Sequence, residues 1–246
     1  MLRVLRRRMD EITGSSSGSA FDAVWALCDN RAHFSPARIA SFSRIATALE
    51  SYLRAVGAPA DLLPGPLPLH DALISLISRE ECNSFGVYTF ARKGPRSGRD
   101  SHGLALIPDA VYFNHGCLPN VGHVSRNVDG VPAYLFYALR DLDAGEEAEI
   151  SYVELDDGEG AGVGRTVTER RDTLERLFLF RCDCARCRVE MGGGDSDVGR
   201  RELARMLCLE GGCRGRFVPA DMAVGGRPVG LEEEDWVCEA CGRKRV

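Results

Sequence analysis

Four cysteines in two separated groups constrain this chain most. Cys117 ends the tetrapeptide Asn114-His115-Gly116-Cys117, and a later run, Cys182-x-Cys184-x-x-Cys187, supplies three more thiols. Four thiolates in tetrahedral geometry are the usual ligand set of a structural zinc ion. The spacing therefore predicts that one zinc ion joins Cys117 to the later segment, although Cys82 is an alternative fourth ligand.

A second set of four cysteines lies near the C-terminus. The pairs Cys208-x4-Cys213 and Cys238-x2-Cys241 have the arrangement of a zinc ribbon. The alternative is unliganded thiols in a disordered tail. Neither set has the three-ligand pattern with an open position that catalytic zinc requires, so both zinc ions are expected to be structural.

The composition excludes several classes of protein. The chain has 246 residues, of which 44% are hydrophobic, so it can bury a sizeable core. Its formal net charge of -5 argues against bulk attraction to nucleic acid. A nucleic-acid role for the C-terminal unit, suggested by the basic Arg243–Arg245 tail, is the weakest alternative. No apolar run is long enough for a membrane span.

The N-terminus carries no secretory signal, because the basic run Met1–Arg8 lacks an apolar region. A solvated helix start explains it better than a mitochondrial presequence, since Asp10 and Glu11 follow. Without a secretory signal, the ten cysteines are interpreted as reduced, metal-binding thiols. We therefore expect the protein in the nucleus, the cytoplasm or both.

The hydrophobic pattern mixes helical and strand periods. Ser35-Pro36 predicts the start of a helix that runs to about Val56. Residues 69–80 predict a second helix, and the capping box Thr166-x-x-Glu169 opens another that ends near Phe180. Short strands are predicted at 85–90, 103–107, 134–138 and 149–152. Because the strands do not alternate regularly with helices, the pattern predicts an α+β fold.

Four motifs together resemble one family. In chain order they are Asn83-Ser-Phe85, Asn114-His115-Gly-Cys117-x-Pro119-Asn120, Gly145-Glu146-Glu147-x3-Ser151-Tyr152 and Phe180-x-Cys182-x-Cys184-x2-Cys187. Over residues 83 to 187 the chain resembles the SET-domain protein-lysine methyltransferases, and the SET-MYND proteins most. The resemblance implies S-adenosylmethionine as cofactor. It also implies lysine side chains of histones or other proteins as the substrate.

The resemblance also predicts the division of the chain. A flexible N-terminus (1–20) precedes a helical insert (21–82) and a mainly β SET core (83–153). A post-SET helix and zinc segment (154–190) and a zinc-ribbon-like unit (198–246) follow. The family fold threads the end of the core through a loop, so the segments of Asn114 and Tyr152 are expected to meet.

The resemblance implies a role for each matching residue. Asn114 and His115 would contact the cofactor, mainly through their backbone, and Asn83 would hold its amino-acid end. Phe180 would stack on the adenine, and Tyr152 would be the active-site tyrosine. Three other aromatic residues are expected to be ordinary core: Tyr112, Phe136 and Tyr137.

An acidic segment and two departures from the family complete the analysis. Residues 141–160 are acidic and could attract a basic substrate, or form a solvated loop. Gly116 stands where the family usually has Ser. A Gly-x-Gly strand and a MYND module are not found, so a truncated, catalytically inactive, zinc-stabilised interaction module is the alternative to an enzyme.

Overall fold

A computed structural model describes residues 1–14, 20–90, 99–128, 131–153, 165–194, 196–208, 213, 215–222 and 235–245. The chain divides into two compact units. The first comprises Met1–Phe85 and Leu104–Val111, and the second comprises Gly86–Gly103 and Tyr112–Val246. The described residues contain both helices and strands, in agreement with the mixed fold class. None of the helices within these ranges is long and apolar enough to cross a membrane.

The described part of the first unit contains four α-helices: α1 (Leu2–Ile12), α2 (Ala20–Trp25), α3 (Pro36–Ala55) and α4 (Leu69–Asn83). The side chain of Ser35 accepts a hydrogen bond from the Arg38 amide and caps α3, as the sequence predicted. Helices α3 and α4 pack together through apolar residues that lie three or four positions apart. The buried members are Phe42, Ala46, Leu49, Leu53, Ala72, Leu73, Leu76 and Ile77.

The N-terminus begins with a helix, as the basic run Met1–Arg8 predicted, although residues 1–20 were also expected to be flexible. Leu2–Ile12 form helix α1, and Leu5 is only 2% exposed, so the helix is not simply solvated. The Met1 ammonium group also bonds the Glu80 carboxylate at 3.0 Å. The arginine-rich composition conceals a helical apolar stripe that packs on the core of this unit. Residues 15–19 lie outside the described part of the chain.

Six short strands follow: β1 (Ser84–Phe90), β2 (Arg99–Leu106), β3 (Asn114–His115), β4 (Val121–Val128), β5 (Val131–Ala138) and β6 (Glu149–Ile150). They pair as β1–β2, antiparallel β4–β5 and parallel β3–β6. The sequence predicted β1, β2, β5 and β6 and missed the other two. Strand β4 lacks a regular alternation of apolar and polar residues, because Gly122 takes one of its core-facing positions.

The aromatic side chains on and near these strands, in the second unit, differ in burial. Tyr137 lies opposite Gly122, and its ring fills the space that a side chain at Gly122 would need. It is 6% exposed and is core, as expected. Phe136 stacks on Phe113 with ring centroids 4.6 Å apart. Tyr112 was expected to be core and is 83% exposed, so that expectation is wrong.

The C-terminal part contains α5 (Val167–Phe178), α6 (Ala185–Met191), α7 (Ser196–Met206), β7 (Phe217–Pro219) and β8 (Trp236–Cys238). The capping box of Thr166 and Glu169 is present at the start of α5. Strands β7 and β8 are antiparallel. Their buried Val218 and Val237 share a core with Tyr137, so this hairpin packs on β4 and β5.

Candidate active site and cysteine clusters

Strands β3 and β6 bring two of the predicted motifs side by side. Asn114 pairs with Glu149 and His115 with Ile150 in parallel register. The pairing continues beyond the strand, because the Gly116 amide donates to the Ile150 carbonyl at 2.9 Å. The expected meeting of the Asn114 and Tyr152 segments is therefore observed.

The Asn120 side chain fixes this pairing from one end. Its Oδ1 accepts from the Glu149 amide at 2.8 Å, and its Nδ2 donates to the Glu147 carbonyl at 2.8 Å. Asn120 is 4% exposed, so losing these bonds would leave buried backbone groups unsatisfied. Asn120 belongs to the sequence motif, but no role had been predicted for it.

Tyr152 is held by both its hydroxyl and its backbone. The hydroxyl donates to the Phe113 carbonyl at 2.7 Å, and the backbone amide donates to Nδ1 of His115 at 3.0 Å. Burial raises the pKa of the Tyr152 hydroxyl, so it stays protonated at neutral pH. The hydroxyl is therefore a fixed neutral group.

Three aromatic side chains surround Tyr152. Its ring centroid lies 5.0 Å from that of Phe178, 5.4 Å from His115 and 6.3 Å from Phe180. Phe180 also lies 6.0 Å from His115. Thus Tyr152, His115 and Phe180, all predicted site residues, form one aromatic cluster.

A left-handed residue positions the last of these rings. Leu179 ends helix α5 with φ of 64°, a conformation that crowds the Cβ of an L-residue. The chain turns there, between Phe178 and Phe180, and leaves the helix toward Cys182. Packing on both sides must offset a local cost of about 1–3 kcal/mol. Neither Phe178 nor the turn was predicted as part of the site.

The two predicted asparagines are placed differently. Asn114 is exposed, and its Nδ2 donates to Oε1 of Glu147 at 2.6 Å. Asn83 ends helix α4 in the first unit, where its Nδ2 donates to the carbonyls of Cys28 and Arg79, each at 2.8 Å. The Asn83 amide nitrogen is thus engaged within that unit, and its contact with a cofactor stays a prediction.

The first cysteine cluster contains the four predicted residues. The sulfur atoms of Cys117, Cys182, Cys184 and Cys187 all lie within 4.8 Å of one another. Cys117 Sγ lies 3.8 Å from that of Cys182 and 3.6 Å from that of Cys187. A zinc ion with Zn–S bonds of about 2.3 Å needs sulfur atoms about 3.8 Å apart, so the cluster fits it. Cys82, the alternative ligand, belongs to neither cluster within the described residues.

Buried charges surround the first cluster. Arg170 donates to Glu190 at 2.8 Å and approaches Cys187 Sγ at 3.6 Å. Arg186 donates to Glu190 at 2.7 Å and to the Cys117 carbonyl at 3.0 Å. These side chains are at most 7% exposed. A zinc ion with four thiolates carries a total charge of two negative units. Arg170 and Arg186 are placed to offset this charge, and Glu190 holds the two arginines in position.

Hydrogen bonds within the first cluster favour a thiolate. Contacts from Cys117 and then Cys187 lower the pKa of the Cys184 thiol, although burial opposes this shift. The contact with Cys184 in turn raises the pKa of the Cys117 thiol, so the thiols are coupled and the shift favours a thiolate at Cys184 alone. All four ligands must lose their protons when a metal binds. No sequence signal indicated Arg170, Arg186 or Glu190, since charged residues on a short helix normally face solvent.

The second cluster gathers Cys208, Cys213, Cys238 and Cys241, also within 4.8 Å. Sulfur distances are 3.7 Å for Cys208–Cys241 and 3.5 Å for Cys213–Cys238. These distances also suit tetrahedral zinc. Cys241 is exposed, unlike any ligand of the first cluster. Gly211 and Gly212, beside the ligands, lie outside the described residues.

Gly116, the departure from the family pattern, is explained by Glu149. A Cβ at Gly116 would lie 2.6 Å from Oε2 of Glu149 and 2.9 Å from its carboxyl carbon. The Glu149 carboxylate thus occupies the space that a serine side chain would take. Burial, followed by the nearby Glu147, raises the pKa of Glu149.

The acidic segment is partly structural. Glu146 pairs with exposed Arg140, and Glu147 holds Asn114. The Arg140 hydrogen bond lowers the pKa of Glu146 to about 2. Residues 154–160, which carry four of the nine acids, lie outside the described part. At least two carboxylates therefore serve the local fold.

Comparison with known proteins gives the class. A SET domain model matches residues 36–153, from helix α3 to the residue after Tyr152. Residues 36–153 of this chain therefore match a SET domain. The match includes the helical segment as well as the strands, and the predicted domain boundaries remain predictions.

The relatives narrow the class. A SET and MYND domain-containing protein of Dictyostelium discoideum is 30% identical over 148 residues, 60% of this chain and 33% of that protein. Histone-lysine N-methyltransferase SMYD3 of Mus musculus is 26% identical over 201 residues, 82% and 41% respectively. N-lysine methyltransferase SMYD2-B of Danio rerio is 26% identical over 148 residues, 57% and 30%. The chain is thus SET-MYND-like, and it spans about a third of the length of these relatives.

Proposed function

We propose that this protein transfers methyl groups from S-adenosylmethionine to lysine side chains of other proteins. The convergence of β3, β6, Tyr152 and the Phe178–Phe180 turn on one aromatic cluster carries the proposal. Relatives named as lysine methyltransferases support it. Because the alignments cover only part of those relatives, the activity of this chain is inferred from its own residues.

The cofactor would bind along strand β3. Asn114 and His115 would hold the adenine through backbone groups, and Phe180 would stack on it. When bound, S-adenosylmethionine supplies a methyl group activated by attachment to a sulfonium. Exposed Asn114 and half-buried Phe180 support this assignment, because both remain accessible to a ligand.

The lysine amine must be neutral before it accepts a methyl group. Free lysine has a pKa of about 10.4, and an apolar environment lowers it by disfavouring the charged form. Tyr152, Phe178 and Phe180 provide such an environment. The Tyr152 hydroxyl hydrogen is committed to the Phe113 carbonyl, so its oxygen lone pairs would accept from the amine and orient it. The residues would act mainly by positioning.

Both cysteine clusters would hold structural zinc. Their ligands and sulfur distances suit the ion, and the first cluster joins Cys117 to the segment that follows Phe180. Zinc would thus hold two sides of the proposed cofactor site together. Each ion would add binding free energy to folding.

The proposed substrates are histones or other lysine-bearing proteins. Acidic side chains of residues 141–160 would attract a basic segment, although Glu146 and Glu147 also have structural roles. We propose the nucleus, the cytoplasm or both as its location. Neither nucleic acid nor a membrane is a proposed partner.

Calorimetry and radiolabel transfer test the function. Zinc-loaded protein is expected to bind S-adenosylmethionine and to methylate histone or other protein lysines. Tyr152→Phe should keep cofactor binding and lose most turnover, because the orienting oxygen is removed while the ring stays. Tyr112→Phe, at an exposed tyrosine, is the matched control.

The alternative is an inactive, zinc-stabilised SET-like interaction module. The same experiment distinguishes it from the enzyme. A folded protein with two zinc ions that neither binds the cofactor nor transfers methyl groups would support the module and refute the methyltransferase.

A further inference from the structure

The His115 ring joins the first cysteine cluster to the active-site tyrosine. Its Nδ1 lies 3.0 Å from the Tyr152 backbone amide, and its Nε2 lies 3.2 Å from the Cys117 sulfur. His115 is 7% exposed, so water competes little for either nitrogen. One buried ring therefore bridges a proposed metal ligand and a proposed active-site residue.

The direction of both hydrogen bonds follows from the donor inventory. A backbone amide can only donate, so Nδ1 accepts and carries no proton. A neutral imidazole then has its proton on Nε2, which donates to the Cys117 sulfur. In this arrangement the Tyr152 amide donates to Nδ1 and Nε2 donates to the Cys117 sulfur, so each ring nitrogen makes one hydrogen bond.

We propose that His115 is a positioning residue that makes the location of Tyr152 depend on the metal in the first cluster. A metal-bound thiolate accepts the Nε2 proton, whereas a free thiol carries a proton of its own and accepts more weakly. Groups that hydrogen-bond to metal ligands commonly orient those ligands and tune the metal. Here the effect would also run in the other direction, from the metal through His115 to Tyr152. The catalytic consequence rests on the proposed methyl transfer, but the physical link does not.

This role differs from the predicted backbone contact of His115 with the cofactor. The imidazole is directed at Cys117 and Tyr152, and both interactions exist without a bound ligand. Metal exchange should therefore alter the Tyr152 environment even in cofactor-free protein. A zinc ion that only held two segments together would not require this response.

Nuclear magnetic resonance of 15N-tyrosine-labelled protein tests the link. The chain has six tyrosines, and Tyr152→Phe identifies the resonance of interest by its loss. Replacing zinc with cadmium, which has longer bonds to sulfur, should shift the Tyr152 amide in the wild-type chain. If that amide does not move between the two metal forms, the proposal is overturned without any histidine variant.

Two near-isosteric variants separate the halves of the bridge. His115→Asn keeps an acceptor near Nδ1 and loses the donor to Cys117, whereas His115→Gln keeps a donor near Nε2 and loses the acceptor for Tyr152. Each should bind two metal ions and lose the response of the Tyr152 amide. Exposed His33→Gln is the control and should keep it. A full response in both His115 variants would contradict the proposal.

Activity gives a second readout. Both variants should lower kcat by about ten- to a hundredfold, with little change in the KM for S-adenosylmethionine. A rise in KM alone would indicate a cofactor-binding role and refute the positioning role. If the wild-type amide responds to metal exchange but no methyl transfer occurs, the proposed function fails and the link stands.

Discussion

Each of the two cysteine clusters has four cysteine ligands, but the residues around the two clusters differ. Three of the four ligands of the first cluster are buried, and the cluster contacts Arg170, Arg186 and His115. The second lies at a short hairpin, with Cys241 exposed and Cys213 half-buried. Ligand spacing predicts where a metal can bind, whereas its effect depends on what the ligands contact. The first cluster should therefore affect the proposed active site, and the second mainly strands β7 and β8.

Loss of one ligand should give the largest difference between the clusters. Structural zinc contributes about 10–16 kcal/mol in small domains, which matches or exceeds a typical domain stability of about 5–15 kcal/mol. Cys187→Ser should therefore unfold the second unit. Cys241→Ser should disorder β7 and β8 and leave the β3–β6 pairing intact.

Metal analysis and hydrogen exchange measure that difference. Each variant should hold one zinc ion at most. Protection of the Gly116 amide should vanish in Cys187→Ser and persist in Cys241→Ser. Equal losses of protection would show that the two clusters are not energetically distinct.

Arg170 should be the most sensitive residue outside the ligand sets. Arg170→Met leaves Glu190 buried with only Arg186, so we expect a loss of about 3–5 kcal/mol. Urea unfolding measures the loss, and Arg176→Met on the exposed side of the same helix is the control. Equal stability of the two variants would refute the electrostatic role.

Glycines beside the clusters should respond differently to a side chain. A Cβ at Gly215 would lie 2.4 Å from Cys238 Sγ and 3.0 Å from the Ala240 nitrogen, neither of which can easily move. Gly215→Ala should therefore impair metal binding by the second cluster. Gly116→Ser meets mainly the Glu149 side chain and should cost about 1–3 kcal/mol.

A double variant sharpens this comparison. Glu149→Ala should recover most of the loss caused by Gly116→Ser, because it vacates the contested space. Thermal unfolding of the two single variants and the double variant measures the coupling. If the stability changes of the two single variants simply add up in the double variant, Glu149 does not explain why position 116 is a glycine.

The capping box should give the smallest effect. Thr166→Ala removes the acceptor of the Glu169 amide and should cost about 1 kcal/mol. Helix α5 carries Arg170 and ends beside Phe180, so the loss should weaken metal binding by the first cluster only. Thr168→Ala, within the first turn but not at the cap, is the control. Chelator competition would contradict the expectation if both clusters released metal faster.

Local signals predicted much of the fold. Ser35-Pro36 marked the start of α3, and Thr166 with Glu169 marked the start of α5, because caps act over a few residues. The burial of helix α1 and the presence of strand β4 were missed since both depend on tertiary packing. Leu5 becomes buried only in the folded unit, and Gly122 depends on the Tyr137 ring from the next strand.

The sequence predicted the cysteine ligands of the site but not the residues that contact and position them. Cysteine spacing indicated both clusters, and the resemblance to the family implied the proximity of Tyr152 to the Asn114 segment. The contact of Arg170 with Glu190 and that of His115 with Tyr152 had no sequence signal, because the partners are distant along the chain. Side-chain partnership between distant segments needs the folded structure.

The parallel pairing of β3 with β6 has a consequence for the order of folding. Strands β4 and β5 form a local hairpin, whose closure needs only a short loop. Strand β6 can pair with β3 only after the intervening chain has folded back. The contact between Cys117 and Cys182 spans a still larger separation along the sequence. Contacts of large sequence separation form slowly. The proposed active site should therefore be among the last parts of the molecule to assemble.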